Sequence, residues 1–422
     1  SAPGSLEPWM QLARLFELRH QWGRDPADIE VAITHAREAQ RRFRSSWIAQ
    51  ELLALLLIRA EQLEAASGGL EDYLKGNQMN DDARVMLVRM YESMGRLERS
   101  VELCQEAVDR NPFDIPWNVR LGKLRGDQGR YAEASVSFKR LFDMTRDPSV
   151  ARFYVEMRLL RDPPDYEGVL AFARANVGMF REDPFLSGSY AATMAHGGRV
   201  QSAFNEMESA YKRFEASGAS PGAMQQLVTW LPRIIEVTNP EANVAEQSEQ
   251  LLATMTNGNL DLGSRVVLAQ EWIKSGADGY SRAMEHLRVV TAPGDLAGAF
   301  GASPYLSLGS LLYGTGDCIG SLEMFEKALA MAPGSALLMN NVAFARAQCD
   351  NDLDQAAKEA IEASRLEPLN ANILDTLGFI KIKQGDYAAA GTALRRSLAR
   401  KRTVAAMLHL AEVKIALKKW DE

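Results

Sequence analysis

Two stretches decide the fold: ARVMLVRMYESMGRL at Ala83–Leu97 and WNVRLGKLRGDQGRY at Trp117–Tyr131. Laid over one another they match Leu87 with Leu121, Gly95 with Gly129 and Leu97 with Tyr131, so the chain repeats itself here after 34 residues. Within each stretch apolar side chains recur at three- and four-residue intervals, the spacing of one face of an α-helix. The closing glycine offers the left-handed conformation that caps such a helix. A second helical pattern follows and stops at Pro112, which cannot continue a helix. The unit is therefore helix A, glycine turn, helix B. Repetition at this length means a stack of like units, each packed only on its neighbours.

The pattern returns near the C-terminus. From Ala302 it gives Leu308, Gly309, Gly316, Ser321, Phe325, Ala328 and Pro333. From Ala336, with one extra residue in the turn, it gives Val342, Ala343, Leu353, Ala356, Ala360, Ala363 and Pro368. From Ala371 it gives Leu377, Gly378, Gly385, Tyr387 and Ala390, and Leu410-Ala411 with Trp420 open a further unit. A large residue followed by a small one in helix A, a glycine at its end, a small residue in helix B and a late proline resemble the tetratricopeptide repeat family, in the style of its long bacterial members. The resemblance implies an all-α, right-handed α-solenoid of helix pairs. Physically, the small residues let helices A and B approach closely.

Three blocks are expected: residues 1–148 as an N-terminal repeat block, 149–301 as degenerate helical repeats with longer loops, and 302–422 as a C-terminal block with its last repeat incomplete. In the first, Trp47 to Asn80 forms one period ahead of Asp81, and Asp28 to Arg44 reads as the helix B before it. Asp147-Pro148, Asp183-Pro184 and Ser303-Pro304 each offer an N-cap followed by a proline in the first turn. Pro232 interrupts an apolar helical pattern and should break it.

Composition narrows the function classes. With 46% hydrophobic and 24% charged residues the chain has enough apolar material to fold. Its net charge of −7 is spread over interleaved acids and bases, so no basic stripe points to nucleic acid. The clusters Arg41, Arg42, Arg44 and Arg395, Arg396, Arg400, Lys401, Arg402 read as solvated helix faces and ends. The longest apolar run, Leu52 to Ile58, is 7 residues, whereas a membrane span needs about 20. No export signal is visible, but the start, Ser1-Ala2-Pro3-Gly4-Ser5, resembles the scar of a removed tag. A periplasmic and a cytoplasmic location both stay open.

No catalytic constellation emerges. The histidines, His20, His35, His196, His286 and His409, have no neighbour at metal-ligand spacing. Gly314 to Gly320 suggests a phosphate loop but has the wrong spacing and falls on a turn between helices. Asp350-Asn351-Asp352-Leu353-Asp354 resembles the start of a calcium loop, yet Gln355 and Ile361 stand where Gly and an acid are needed. It reads better as a turn whose Asp caps helix B. Cys104 falls in the core of a helix B. Cys318 starts one helix B and Cys349 ends the next helix A, so both should lie on one edge. They can bond if their Cα atoms come within about 7 Å. No cofactor and no metal are expected.

Function is left to the groove. In the family, helix A lines the concave face, and carrying its groove positions over yields Tyr313 in one unit, Asn340 and Phe344 in the next, and Asn372, Asp375 and Phe379 in the third. The amides suit the backbone of an extended peptide, and the aromatics supply contact area. These side chains could instead pack on a further helix. The resemblance implies a noncatalytic scaffold that binds partner proteins or peptides and organises a larger assembly. The alternative is a regulatory or substrate-recruiting arm of a longer enzyme or polysaccharide-export protein.

Overall fold

The computed structural model describes residues 6–23, 26–294, 298–350 and 352–417. The expected unit start at Trp420 and Asn351 of the acidic turn lie outside these. Among the described residues every regular element is a helix, and they fall into two compact units, Ser1–Thr145 and Arg146–Glu422.

The first unit is a run of helix pairs: α1 (Glu7–Gly23) with α2 (Pro26–Arg42), α3 (Trp47–Arg59) with α4 (Leu63–Gly76), α5 (Asp81–Ser93) with α6 (Leu97–Arg110), and α7 (Ile115–Asp127) with α8 (Tyr131–Thr145). Each helix packs on the next along the chain. The 34-residue period is written in its caps. Asn80 Oδ1 accepts from Ala83 N at 2.8 Å, and Asp114 Oδ1 accepts from Trp117 N at 3.0 Å. At the other end of α5, Gly95 takes φ +71°, and Arg96 N donates to Tyr91 O at 2.8 Å, a Schellman closure that needs the left-handed residue. The small residue expected in helix A has a direct cause. A Cβ on Gly122 would lie 2.6 Å from the ring of Phe138, so α7 and α8 can approach only over glycine. Leu87, Leu121, Ala107, Ala134 and Phe138, all expected inside, are buried.

The second unit begins with α9 (Pro148–Leu159), α10 (Tyr166–Ala175), α11 (Val177–Glu182), α12 (Pro184–His196) and α13 (Val200–Ala216). It continues with α14 (Pro221–Val228), α15 (Leu231–Thr238), α16 (Val244–Met255), α17 (Leu262–Lys274) and α18 (Tyr280–Val290). Asp147 and Asp183 cap α9 and α12 with proline in the first turn, as expected. The expected break near Pro232 falls between α14 and α15, where Trp230 turns inward to 2% exposure.

The remainder is regular again: α19 (Ser303–Gly314), α20 (Cys318–Met331), α21 (Ala336–Ala345), α22 (Leu353–Leu366), α23 (Ala371–Lys383), α24 (Tyr387–Arg400) and α25 (Val404–Ala416). One expectation needs correcting. Ser303 does not cap α19; it is the first residue of the helix, preceded by Ala302, and no side chain caps this end. Gly309 and Gly378 repeat the logic of Gly122, with room only for hydrogen beside Phe325 and Leu394. The extra residue of the unit from Ala336 is absorbed in one wide π-helical turn, Arg346–Asp350, that continues α21.

Candidate partner-binding surface

The A helices α19, α21, α23 and α25 each contribute one ring to a continuous row. Tyr313 meets Phe344 at a centroid distance of 5.5 Å, Phe344 meets Phe379 at 5.6 Å, and Phe379 meets His409 at 5.4 Å. Tyr313 is 36% exposed and the other three rings are half-buried, so the row is packed edgewise yet open to solvent. Tilted and edge-on contacts of this kind are favourable for aromatic quadrupoles.

Charged groups border the rings. His409 Nδ1 and Asp375 Oδ1 are 2.9 Å apart, and this hydrogen bond, reinforced by the charges of Asp375 and Glu412, raises the imidazole pKa above its ordinary value. Lys383 holds its ammonium 5.3 Å from the Phe379 centroid and donates to Ala347 O at 3.0 Å. A cation over a ring face is attracted by the ring's negative face.

Of the six residues singled out in the sequence, the structure joins Tyr313, Phe344, Phe379 and Asp375 in this row. Asn372 is exposed in the first turn of α23, about 10 Å along the helix from Phe379. Asn340 is different. It is 7% exposed, its Nδ2 reaches only Asn341 Oδ1 at 3.5 Å, and its Oδ1 is buried without a hydrogen-bond partner among the described residues. It lies inside the helix packing and not on an open wall.

The sequence reading missed His409, which has no suitable neighbour within its own helix. Its partner stands 34 residues earlier, so the repeat period itself carried the signal. A groove in the first unit was also missed. It encloses about 650 Å³ and is lined by Val85 and Glu92 of α5 and by Pro116, Val119, Arg120 and Lys123 of α7. Arg120 Nη2 donates to both oxygens of Glu92 at 3.2 Å, so the largest cation there is already paired.

The other features resolve as packing or capping. His35 stacks on Phe16, His196 stacks on Tyr166, and His286 is buried with its pKa pushed down by that burial. Cys104 is buried, which pushes its thiol up to about 12. Asp317 caps α20 through Gly320 N at 3.0 Å, within the stretch that imitated a phosphate loop. Asp352 caps α22 through Gln355 N at 3.1 Å. Among the described residues no group of three or more potential metal ligands comes together. Cys318 and Cys349 are joined in a disulfide, with Cα atoms 5.3 Å apart.

Residues 81–114 match the family model of the tetratricopeptide repeat. No curated protein matches the chain in sequence. Among solved structures, the Sgt2 TPR domain from Aspergillus fumigatus is similar at 19% identity and TM-score 0.27, over 31% of this chain and 83% of that one. A MamA protein is similar at 13% identity and TM-score 0.35, over 42% and 91%. The APC/C hetero-tetramer Cut9-Hcn1 is similar at 10% identity and TM-score 0.38, over 96% and 94%. At these identities and scores nothing about partner or activity passes to this chain.

Proposed function

We propose that this chain, a tetratricopeptide-repeat protein, is a noncatalytic scaffold whose last repeats grip an extended segment of a partner protein. The observation that carries this reading is the row Tyr313–Phe344–Phe379–His409, four part-exposed rings presented by four successive A helices. Rings left partly in water gain when a partner covers them, and aromatic anchors supply much of the energy at protein interfaces. Asp375 and Lys383 give the row an acid and a base that can fix the direction of the bound segment. Asn372, exposed one helix end away, offers an amide for its backbone. Asn340 is not part of this surface. The Cys318–Cys349 bond fits an oxidising compartment, which favours the bacterial periplasm over the cytoplasm.

Site-specific photo-crosslinking tests the reading. A photoreactive phenylalanine analogue replaces Tyr313 in one version and Val136, exposed on α8, in a control. Illumination in extract of the native source should yield a discrete adduct from position 313. The adduct should disappear when Phe344→Ala and Phe379→Ala are added. Equal adducts from both positions, or an adduct unaffected by the alanines, would remove the row from partner binding.

A further inference from the structure

We propose that the Cys318–Cys349 disulfide is a redox-controlled latch on the aromatic row, holding it in register when closed and loosening it when a protein dithiol reduces it. This rests on the reading of the row as a recognition surface and adds the means of regulating it.

The coupling runs through the wide turn Arg346–Asp350. Phe344, the second ring of the row, sits in the last turn of α21, two residues before this segment. The turn is fastened to every helix around it. Cys349 binds it to the first residue of α20. Arg346 Nη2 donates to Glu326 Oε1 of α20 at 2.6 Å, and Arg346 Nε donates to Glu359 Oε2 of α22 at 3.2 Å. Ala347 O accepts from Lys383 of α23, whose ammonium lies over Phe379, the third ring. One short segment therefore contacts the supports of two neighbouring rings.

The segment is also the irregular point within helices α19 to α25. A π-helical turn departs from the i to i−4 ladder of the helix it continues, and such turns recur at functional sites. Here the fastenings differ in kind. Of the two carboxylates that Arg346 reaches, Glu326 is nearly half exposed and Glu359 is mostly buried. The disulfide is the one covalent tie. Both cysteines are themselves part-exposed, and exchange requires that a thiolate attack one of their sulfurs.

The chemistry balances without further components. A dithiol of the thioredoxin class attacks one sulfur as thiolate, and the mixed disulfide resolves onto its second thiol. The reductant leaves oxidised to its own disulfide. Cys318 and Cys349 gain two electrons and two protons and are released as thiols. With the covalent tie gone, the wide turn keeps its extra residue but is free to shift against α20, which moves Phe344 and the carbonyl that holds Lys383.

Fluorine NMR tests this without a partner, so its outcome is independent of the crosslinking result. 4-Fluorophenylalanine is placed at Phe344 and, in a second sample, at Phe214 of α13, buried elsewhere in the same unit. Thiol titration of the unfolded, unreduced protein should find one thiol, rising to three after reduction. On reduction the resonance at 344 should shift or broaden while that at 214 stays. The Cys318→Ser/Cys349→Ser variant should show the reduced spectrum from the outset and ignore the reductant. Three thiols before reduction, or an unmoved resonance at 344 after it, overturns the latch. Equal changes at 344 and 214 overturn it too, because the bond would then support the whole unit and not the row.

Discussion

Helices α5 to α8 and helices α13 to α17 both bury apolar side chains, but by different means. In the first region the cap, the turn and the groove wall each occur twice, 34 residues apart: Asn80 and Asp114 cap, Gly95 and Gly129 close, and Val85 and Val119 face the same groove. In the second, two helices of eight residues replace one longer helix, and Trp230 fills the space between them against Phe185 and Gly188. Its contacts are made once and reach far. Tyr211 Oη donates to Asp261 Oδ2 at 2.5 Å across 50 residues, and the same carboxylate oxygen accepts from Ser264 Oγ. A regular repeat thus distributes its stability over equivalent local contacts, while the irregular region concentrates it in a few side chains.

That difference sets the size of the expected effects. Removing either anchor ring should cost most: Phe138→Ala and Trp230→Ala are each expected to lose about 3–5 kcal/mol, read from chemical denaturation. The comparison sharpens if Trp230→Ala also broadens or splits the transition, because long arrays can lose cooperativity. A single unchanged cooperative transition in both variants would contradict the concentrated role given to Trp230.

Opening the Cys318–Cys349 bond should come next, with a loss of about 2–4 kcal/mol seen in the same assay with and without reductant. No response to reductant would mean that the bond adds nothing to the folded state.

Caps separate the two regions more finely. Asp114→Ala removes a single helix cap and should cost about 1 kcal/mol. Asp261→Ala removes a cap on Ser264 N and also strands the hydroxyls of Tyr211 and Ser264, so about 3 kcal/mol is expected. Equal losses at the two positions would break the distinction between a local contact and a shared one.

The smallest effect is pH-dependent. Because Asp375 raises the pKa of His409 in the folded state, the pair stabilises fully below the ordinary imidazole value of 6.5. Its contribution is lost as pH rises through the raised value. In His409→Gln the pH dependence across that window should flatten, as thermal denaturation at stepped pH can show.

The architecture was legible wherever the chain repeats a packing problem. Gly122 beneath Phe138 and Gly378 beside Leu394 must be glycine for steric reasons, so they recur in register and announce the helix pair. Ser303 misled because a serine before proline looks the same whether it caps the helix or begins it. Only the backbone around Ala302 decides. The aromatic row was half legible. Tyr313, Phe344 and Phe379 follow from repeat position, but position alone does not reveal that the Asn340 side chain turns into the packing. His409 looked isolated because its partner is a neighbour in space, one period away. The middle hid its order for the physical reason given above: contacts such as Tyr211 to Asp261 have no period to detect.

The most direct test of the row as the recognising surface compares two double variants in capture from the native source. One carries Phe344→Ala and Phe379→Ala; the other carries Val85→Ala and Val119→Ala in the groove of the first unit. Bound protein is quantified against the wild type for a partner already crosslinked at position 313. The expected result is loss of that partner from the phenylalanine variant and its retention by the valine variant. Retention by the phenylalanine variant, with both variants folded, would contradict the assignment.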